Sequence, residues 1–220
     1  MPNREFWDRR YQECPELGSG PGSRGFVVLK KRKLVLNVLR KFSATSVLDI
    51  GCGDLCWLND DFFKRYTYTG LDISSIVIEK NRKLWPGANF FIHDIVAEPA
   101  EHRADLVVCF DVLIHQINYQ EFRRSLSNTI AAAGVCALIS YRKPASKAPS
   151  FFDGDGLDPA ARVLEDQYQS MRKSIGKVLS MPATYHGEID LEVSKLFPNS
   201  VTTKVDAYRH QYVYLVTGLG

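Results

Sequence analysis

The chain has 220 residues, 45% hydrophobic and 24% charged, with 28 Lys and Arg against 25 Asp and Glu for a formal charge of +3. That length supports one globular domain with a substantial core, and basic residues this scattered give no argument for a nucleic-acid partner. No stretch approaches the roughly 20 apolar residues of a membrane span, and MPNREFWDRR is too polar for a signal peptide, so a cytoplasmic protein without a membrane partner is expected.

Pro2 to Glu13 reads as a helix with Phe6, Trp7, Arg10 and Tyr11 on one face. Gly18 to Gly25, GSGPGSRG, reads as a flexible loop in which Arg24 is suited to bidentate pairing with a carboxylate. From Phe26 to Phe42 the apolar residues Val28, Leu34, Val35, Val38, Leu39 and Phe42 fall near the helical period, and Lys30-Lys31-Arg32-Lys33 reads as its solvated face.

SVLDIGCGDL, Ser46 to Leu55, is the stretch that organises the rest. Val47, Leu48 and Ile50 form a strand around Asp49 that breaks into Gly51-Cys52-Gly53. Without a Cβ these glycines let a ligand lie directly against the main chain, and the next helix is expected to add free N–H donors. That helix is expected over Asp54 to Arg65. A second strand, Tyr68 to Asp72, ends in an acid at the place where a doubly wound fold puts the carboxylate that takes a ribose diol. Helix Ser74 to Trp85 is stopped by Pro86-Gly87, and a third strand runs from Asn89 to Asp94. Leu106 to Phe110 is apolar without alternation, as a central parallel strand covered on both faces should be, and Asp111 follows it.

Asn118 and Glu121 make a capping-box-like pair opening a helix from Tyr119 to Ala133, closed by Gly134, before a fifth strand from Val135 to Ser140. This β–α alternation demands a parallel sheet with right-handed crossovers. Between Tyr141 and Leu196, Pro144, Pro149, Pro159 and Pro182 mark an insertion with one helix, from Asp158 as N-cap to Gly176, placed to form a substrate lid. Val201 to Tyr208 and Gln211 to Thr217 are separated only by Arg209-His210, so they form an antiparallel hairpin. The five cysteines, Cys14, Cys52, Cys56, Cys109 and Cys136, are odd in number and lack a Cys-x-x-Cys pair, which favours reduced core thiols over disulfides or zinc; no metal is expected.

Taken together, VLDIGCG, TGLDIS, FIHDI and ADLVVCFDVLIHQ resemble the class I S-adenosylmethionine-dependent methyltransferases over about Ser46 to Ser140. The third glycine that this family often carries is Leu55 here, and Cys56 stands where a nicotinamide-binding fingerprint needs a glycine. The resemblance implies a doubly wound, Rossmann-like α/β fold of seven mostly parallel strands with a C-terminal antiparallel hairpin. One methyltransferase domain spans residues 1–220, with N-terminal helices and loop over 1–45 and the lid over 141–196.

It further implies S-adenosyl-L-methionine as cofactor, with Gly51, Cys52 and Gly53 in backbone contact, Asp49 nearby, Asp72 and Ile73 at the ribose, and Asp94 and Ile95 at the adenine. Phe110 completes the cofactor set, Trp7 and Tyr11 close over it, and Arg24 pairs with the carboxylate of its methionine part. Asp111 and His115 are the candidate catalytic residues, His115 as a neutral imidazole near its ordinary pKa that accepts a proton from a hydroxyl nucleophile. Tyr141, Arg142, Phe151, Phe152 and Tyr168 are the candidate acceptor contacts.

The expected reaction is methyl transfer to an oxygen or nitrogen of a small molecule, a metabolite, sugar or natural product, by a monomer or homodimer. Methylation of RNA or protein is an alternative, although Asp111-Val112-Leu113-Ile114 departs from the Asn/Asp-Pro-Pro-aromatic tetrapeptide of base and glutamine methylation. A catalytically silent, methyltransferase-like binding scaffold is the third reading.

Overall fold

The computed structural model describes residues 3–143, 157–174 and 184–219. Seven strands make one sheet in the order β3-β2-β1-β4-β5-β7-β6. They are β1 (Ser46–Ile50), β2 (Thr67–Asp72), β3 (Asn89–Ile92), β4 (Ala104–Cys109), β5 (Ala133–Arg142), β6 (Val201–Tyr208) and β7 (Gln211–Thr217). The first five run parallel to one another, and β7 runs antiparallel to both β5 and β6. The expected mostly parallel sheet and its C-terminal antiparallel hairpin are both present.

Helices α1 (Asn3–Glu13), α2 (Val27–Lys41), α3 (Asp60–Arg65), α4 (Ser75–Leu84), α5 (Tyr119–Ala131), α6 (Pro159–Ser174) and α7 (Ile189–Leu196) accompany the sheet. Because successive strand side chains point to opposite faces, Val47, Leu106 and Val108 join one apolar cluster with α2, while Leu48, Val107 and Cys109 join another with α5 and α7. Leu106, Val107, Val108 and Cys109 have no solvent exposure, which is why β4 carries an uninterrupted apolar run.

Several local features depart from the sequence reading, among them a second helix, α7, within the Tyr141–Leu196 stretch read as holding one. Residues 54–59 are not helical: Leu55 takes a φ of +59°, and the α3 cap is Asn59, whose side chain accepts from the Phe62 N–H at 3.3 Å. The glycine turn is therefore not followed at once by a helix N-terminus. Gly134 lies inside β5 instead of ending α5; a Cβ there would meet the Ala104 carbonyl oxygen at 3.3 Å, so the glycine permits the close approach of β5 to β4. Lys31 is not solvated but 2% exposed, among the buried residues of α2.

Other local signals hold. The Asn118 side chain accepts from the Glu121 N–H at 2.9 Å, while Glu121 accepts from the Ile117 N–H at 3.3 Å, a reciprocal cap shifted by one residue. Asp158 caps α6 through the Ala161 N–H at 2.9 Å; Gly176 lies outside the described residues. All five cysteines are free thiols, with Cys52, Cys109 and Cys136 buried.

Candidate active site

Gly51 to Gly53 crosses from β1 beneath the carboxyl end of β2. The Gly51 and Cys52 N–H groups both donate to the Leu71 carbonyl, at 2.8 and 2.9 Å, and the Gly53 N–H donates to Asp72 Oδ2 at 2.9 Å. Both glycines sit at positive φ, +71° and +55°, and a Cβ would lie 2.1 Å from Val112 Cγ2 at Gly51 and 2.2 Å from Ser19 Oγ at Gly53. Asp72 is locked from the other side by the Ser74 N–H at 2.9 Å. Burial pushes its carboxyl up to about 6 even though the N–H groups of Ser74 and Gly53 oppose that shift.

The Gly18–Gly25 segment is an ordered strap with a short 3₁₀ turn at Pro21–Ser23. Arg24 Nη2 pairs with Asp54 Oδ2 at 2.5 Å, and the Ser19 hydroxyl donates to Asp54 Oδ1 at 3.0 Å while sharing a 2.9 Å hydrogen bond with the Tyr11 hydroxyl. Against the upward push of burial, Arg24 holds Asp54 below the usual carboxylate range. On the outer side, Arg209 donates to the Pro21 carbonyl at 2.9 Å and pairs with Glu165 of α6 at 3.1 Å. Helix α1 is pinned across the site by the Ser74 hydroxyl, which donates to Asp8 at 2.6 Å.

At the end of β4, Asp111 takes a φ of +61°, a left-handed conformation that a non-glycine residue adopts only when its surroundings enforce it. They do so here. Its N–H donates to Ser140 Oγ at 2.8 Å; its carboxylate accepts from Lys31 Nζ at 2.5 Å, from the Tyr208 hydroxyl at 3.3 Å and from Gln211 Nε2. Burial is the strongest single influence and pushes this carboxyl up, yet the Lys31 ammonium and the Gln211 hydrogen bond together leave Asp111 below its ordinary value. His115, in the 3₁₀ turn Leu113–His115, meets the Trp7 ring edge-on at 5.2 Å. Burial drives its imidazole down to about 4, which corrects the expectation of a near-ordinary pKa.

These pieces line one cavity at the carboxyl ends of β1 to β4. Trp7, Tyr11, Gly51, Gly53, Asp72, Ile73, Asp94, Ile95, Phe110, Asp111 and His115 all reach it. Asp49, Cys52, Arg24, Tyr141, Arg142 and Tyr168 are not among its lining residues. Asp49 is buried behind the strand, accepting from the Tyr68 hydroxyl at 2.8 Å, and burial raises it to about 7. The Cys52 thiol packs beneath Gly70 and Asn81. Tyr141, 1% exposed, donates its hydroxyl proton to the Tyr185 carbonyl at 3.0 Å and stays in the core. Tyr168 lies under the Arg209 guanidinium, 5.0 Å from its ring centroid. Phe151 and Phe152 lie outside the described residues. Ser19, His93 and Gln116 line the cavity and were not anticipated.

A family described as a methyltransferase domain matches residues 17–182. The chain belongs to the class I S-adenosylmethionine-dependent methyltransferase family. Among solved structures, magnesium protoporphyrin IX methyltransferase from Synechocystis, with S-adenosylhomocysteine bound, is 16% identical, with a TM-score of 0.57 over 97% of this chain and 95% of that one. DesVI from Streptomyces venezuelae is 13% identical, with a TM-score of 0.64 over 94% and 96%. The sugar N-methyltransferase KedS8 from Streptoalloteichus is 12% identical, with a TM-score of 0.62 over 86% and 87%. These likenesses show the fold. A search of curated protein sequences found no match.

The methyltransferase family uses S-adenosylmethionine, and the cavity fits such a group. Two buried polar atoms on its wall, His93 Nε2 and Gln116 Oε1, have no hydrogen-bond partner. Buried polar groups in folded proteins are nearly always satisfied, so these two acceptor or donor positions are left for a ligand. Asp72 and Asp94, whose Oδ1 accepts from the Val96 N–H at 2.9 Å, add carboxylates along the same wall.

Proposed function

We propose that this methyltransferase moves a methyl group from S-adenosylmethionine to an oxygen or nitrogen of a small molecule, a metabolite, sugar or natural product. The observation that carries the reading is the single cavity running from Gly51, Gly53 and Asp72 to His115, with a ribose-type acid at one end and an imidazole at the other. The cofactor supplies a methyl already activated on a sulfonium, so the protein's work is alignment and exclusion of water.

In this reading Asp72 takes the ribose hydroxyls, Asp94 and the Ile95 backbone hold the adenine, and the bare main chain at Gly51 and Gly53 lets the methionine part lie flat. Trp7, Tyr11 and Ser19 close the cavity on its outer side. Arg24, spent on Asp54, holds the strap in place and does not meet the cofactor's carboxylate. Asp111, saturated by Lys31, Gln211 and Tyr208, fixes the turn that carries His115 and does not itself exchange protons.

His115 remains neutral throughout the physiological range. An imidazole with a pKa near 4 is a weak base, which suits orienting an amine or an already acidic hydroxyl by a hydrogen bond more than ionising an alcohol. Two fold relatives, a magnesium protoporphyrin IX methyltransferase and a sugar N-methyltransferase, support a small acceptor. The test is calorimetric binding of S-adenosylhomocysteine followed by radiolabelled methyl transfer to a metabolite panel that includes amino sugars, phenols and carboxylic acids, with RNA and histone as comparators. Transfer only to a macromolecule would overturn the small-molecule reading, and binding without transfer to any acceptor would favour a scaffold.

A further inference from the structure

Gln116 follows His115 at the end of the 3₁₀ turn, is 3% exposed and lines the cavity beside it. Its backbone carbonyl accepts from the Tyr185 N–H at 2.8 Å, and its Nε2 donates to the Val112 carbonyl at 3.1 Å. That second bond settles which end of the amide is which, because exchanging the two atoms would set two acceptors against each other. Oε1 is therefore the open end, buried and without a hydrogen-bond partner. Val112 in turn lies against Gly51, where an added Cβ would sit 2.1 Å from Val112 Cγ2, so Gln116 is anchored beside the bare main chain. The other open atom, His93 Nε2, belongs to the residue before Asp94.

The cavity wall is rich in acceptors. It carries Asp72, Asp94 and Asp111 and, among the described residues, no Lys or Arg. Asp111 is matched by Lys31, whereas Asp72 and Asp94 are met by backbone N–H groups. His115 is a neutral imidazole, so one of its ring nitrogens is an acceptor as well. Such a wall opposes an oxyanion, which brings no donor, and favours a molecule that brings N–H or O–H groups. Counting donors separates those two. A neutral primary amine has two N–H groups and one lone pair, so Gln116 Oε1 and His115 can both be satisfied with the lone pair left free. A hydroxyl has one donor and leaves one of the two acceptors unpaired.

We propose that the methyl acceptor is a primary amine, its two N–H groups taken by Gln116 Oε1 and the His115 imidazole. The inference rests on the methyltransferase reading only in naming this molecule the acceptor. Gln116 is then a specificity residue: with both N–H groups held, the nitrogen lone pair is the one feature left to face the methyl. That lone pair forms the new N–C bond, the C–S pair stays on sulfur as a neutral thioether, and the methylated ammonium releases one proton to water.

The experiment follows the His115 Cε1–H resonance in histidine-labelled protein saturated with S-adenosylhomocysteine, at neutral pH, while aniline, phenol or benzoate is added. The three share one ring and bring two donors, one and none. The expected result is a saturable shift that sets in at lower concentration with aniline than with phenol, and no shift with benzoate. Gln116→Leu should weaken aniline binding about fivefold, the loss of one neutral hydrogen bond. It should leave phenol, whose single donor His115 still takes, nearly as it was, so the preference for the amine disappears. Gln116→Asn, which keeps the amide but draws its oxygen back by one methylene, should reduce that preference and serves alone if the leucine variant does not fold. Phenol or benzoate binding as tightly as aniline, or an aniline preference that neither variant alters, overturns the proposal. A variant that loses affinity for S-adenosylhomocysteine but keeps the aniline preference gives Gln116 to the cofactor and overturns it too. Wild-type protein that binds S-adenosylhomocysteine but not aniline overturns this inference alone, whereas an aniline preference without S-adenosylhomocysteine binding keeps the amine site and overturns its assignment to a methyl acceptor.

Discussion

Lys31 of α2 reaches Asp111 at the end of β4 with 2.5 Å between Nζ and Oδ2, its side chain 2% exposed and lying 5.2 Å from the ring centroids of both Phe110 and Tyr208. This buried pair ties the helix that covers the sheet to the turn that carries His115, and it keeps Asp111 in its left-handed conformation. Removing one member of a buried pair leaves the other charge uncompensated, at a cost of roughly 3–5 kcal/mol. Lys31→Met should therefore destabilise the protein by about that much, and Lys31→Met/Asp111→Asn together by less than the two separately. Urea unfolding of the four proteins checks this; additive losses would show that the two residues act independently.

The Asp72 carboxyl titrates near 6 because of its burial. Only the ionised form accepts from two ribose hydroxyls, so affinity for S-adenosylhomocysteine should rise as pH increases through about 6 and level off above it. Asp72→Ala should raise the Kd at least about tenfold at pH 8, as the loss of a charged hydrogen bond worth roughly 1.5–3 kcal/mol implies. Calorimetry across pH 5 to pH 8 measures both effects, at roughly one-unit steps around the ordinary carboxyl and histidine ranges. A Kd indifferent to pH and to the substitution would remove Asp72 from the cofactor site.

His115 has a native pKa pushed below its ordinary value to about 4. With the folded value depressed, its contribution to stability is present above the unfolded pKa of about 6.5 and is lost as pH falls towards 4. The Cε1–H resonance should accordingly stay at its neutral position at pH 6, where an exposed histidine is already mostly charged. His115→Ala should lower turnover while S-adenosylhomocysteine still binds. A midpoint at 6 or above would mean that the imidazole is open to water.

Arg24 and Asp54 hold the strap over the cavity. Arg24→Gln removes a charged contact worth roughly 1.5–3 kcal/mol, so local opening of Gly18–Gly25 should increase at least about tenfold. Chymotryptic cleavage beside Leu17 and Phe26 reports that opening, and S-adenosylhomocysteine should slow it. An unchanged cleavage rate would assign the closure to the Arg209 and Tyr11 contacts instead.

Much of this protein was already legible in its residues. The apolar run of β4, the acid at the end of β2, the glycines at 51 and 53 and the two-residue gap at Arg209-His210 are local matters, because pleat, turn and reach are settled by neighbours in the chain. The family likewise followed from four short motifs in order. What only the tertiary structure decided depends on burial and on contacts between distant residues. Lys31 looks like part of a solvated basic run until Asp111, eighty positions away, is brought to it. Arg24 looks like a free loop charge until Asp54 takes it, and Asp49 looks like one more strand-end acid until Tyr68 closes behind it. Charge and hydrogen-bonding capacity are fixed by residue type, but which partner satisfies them, and which are left open as in His93 and Gln116, is set by the low-dielectric space that folding creates.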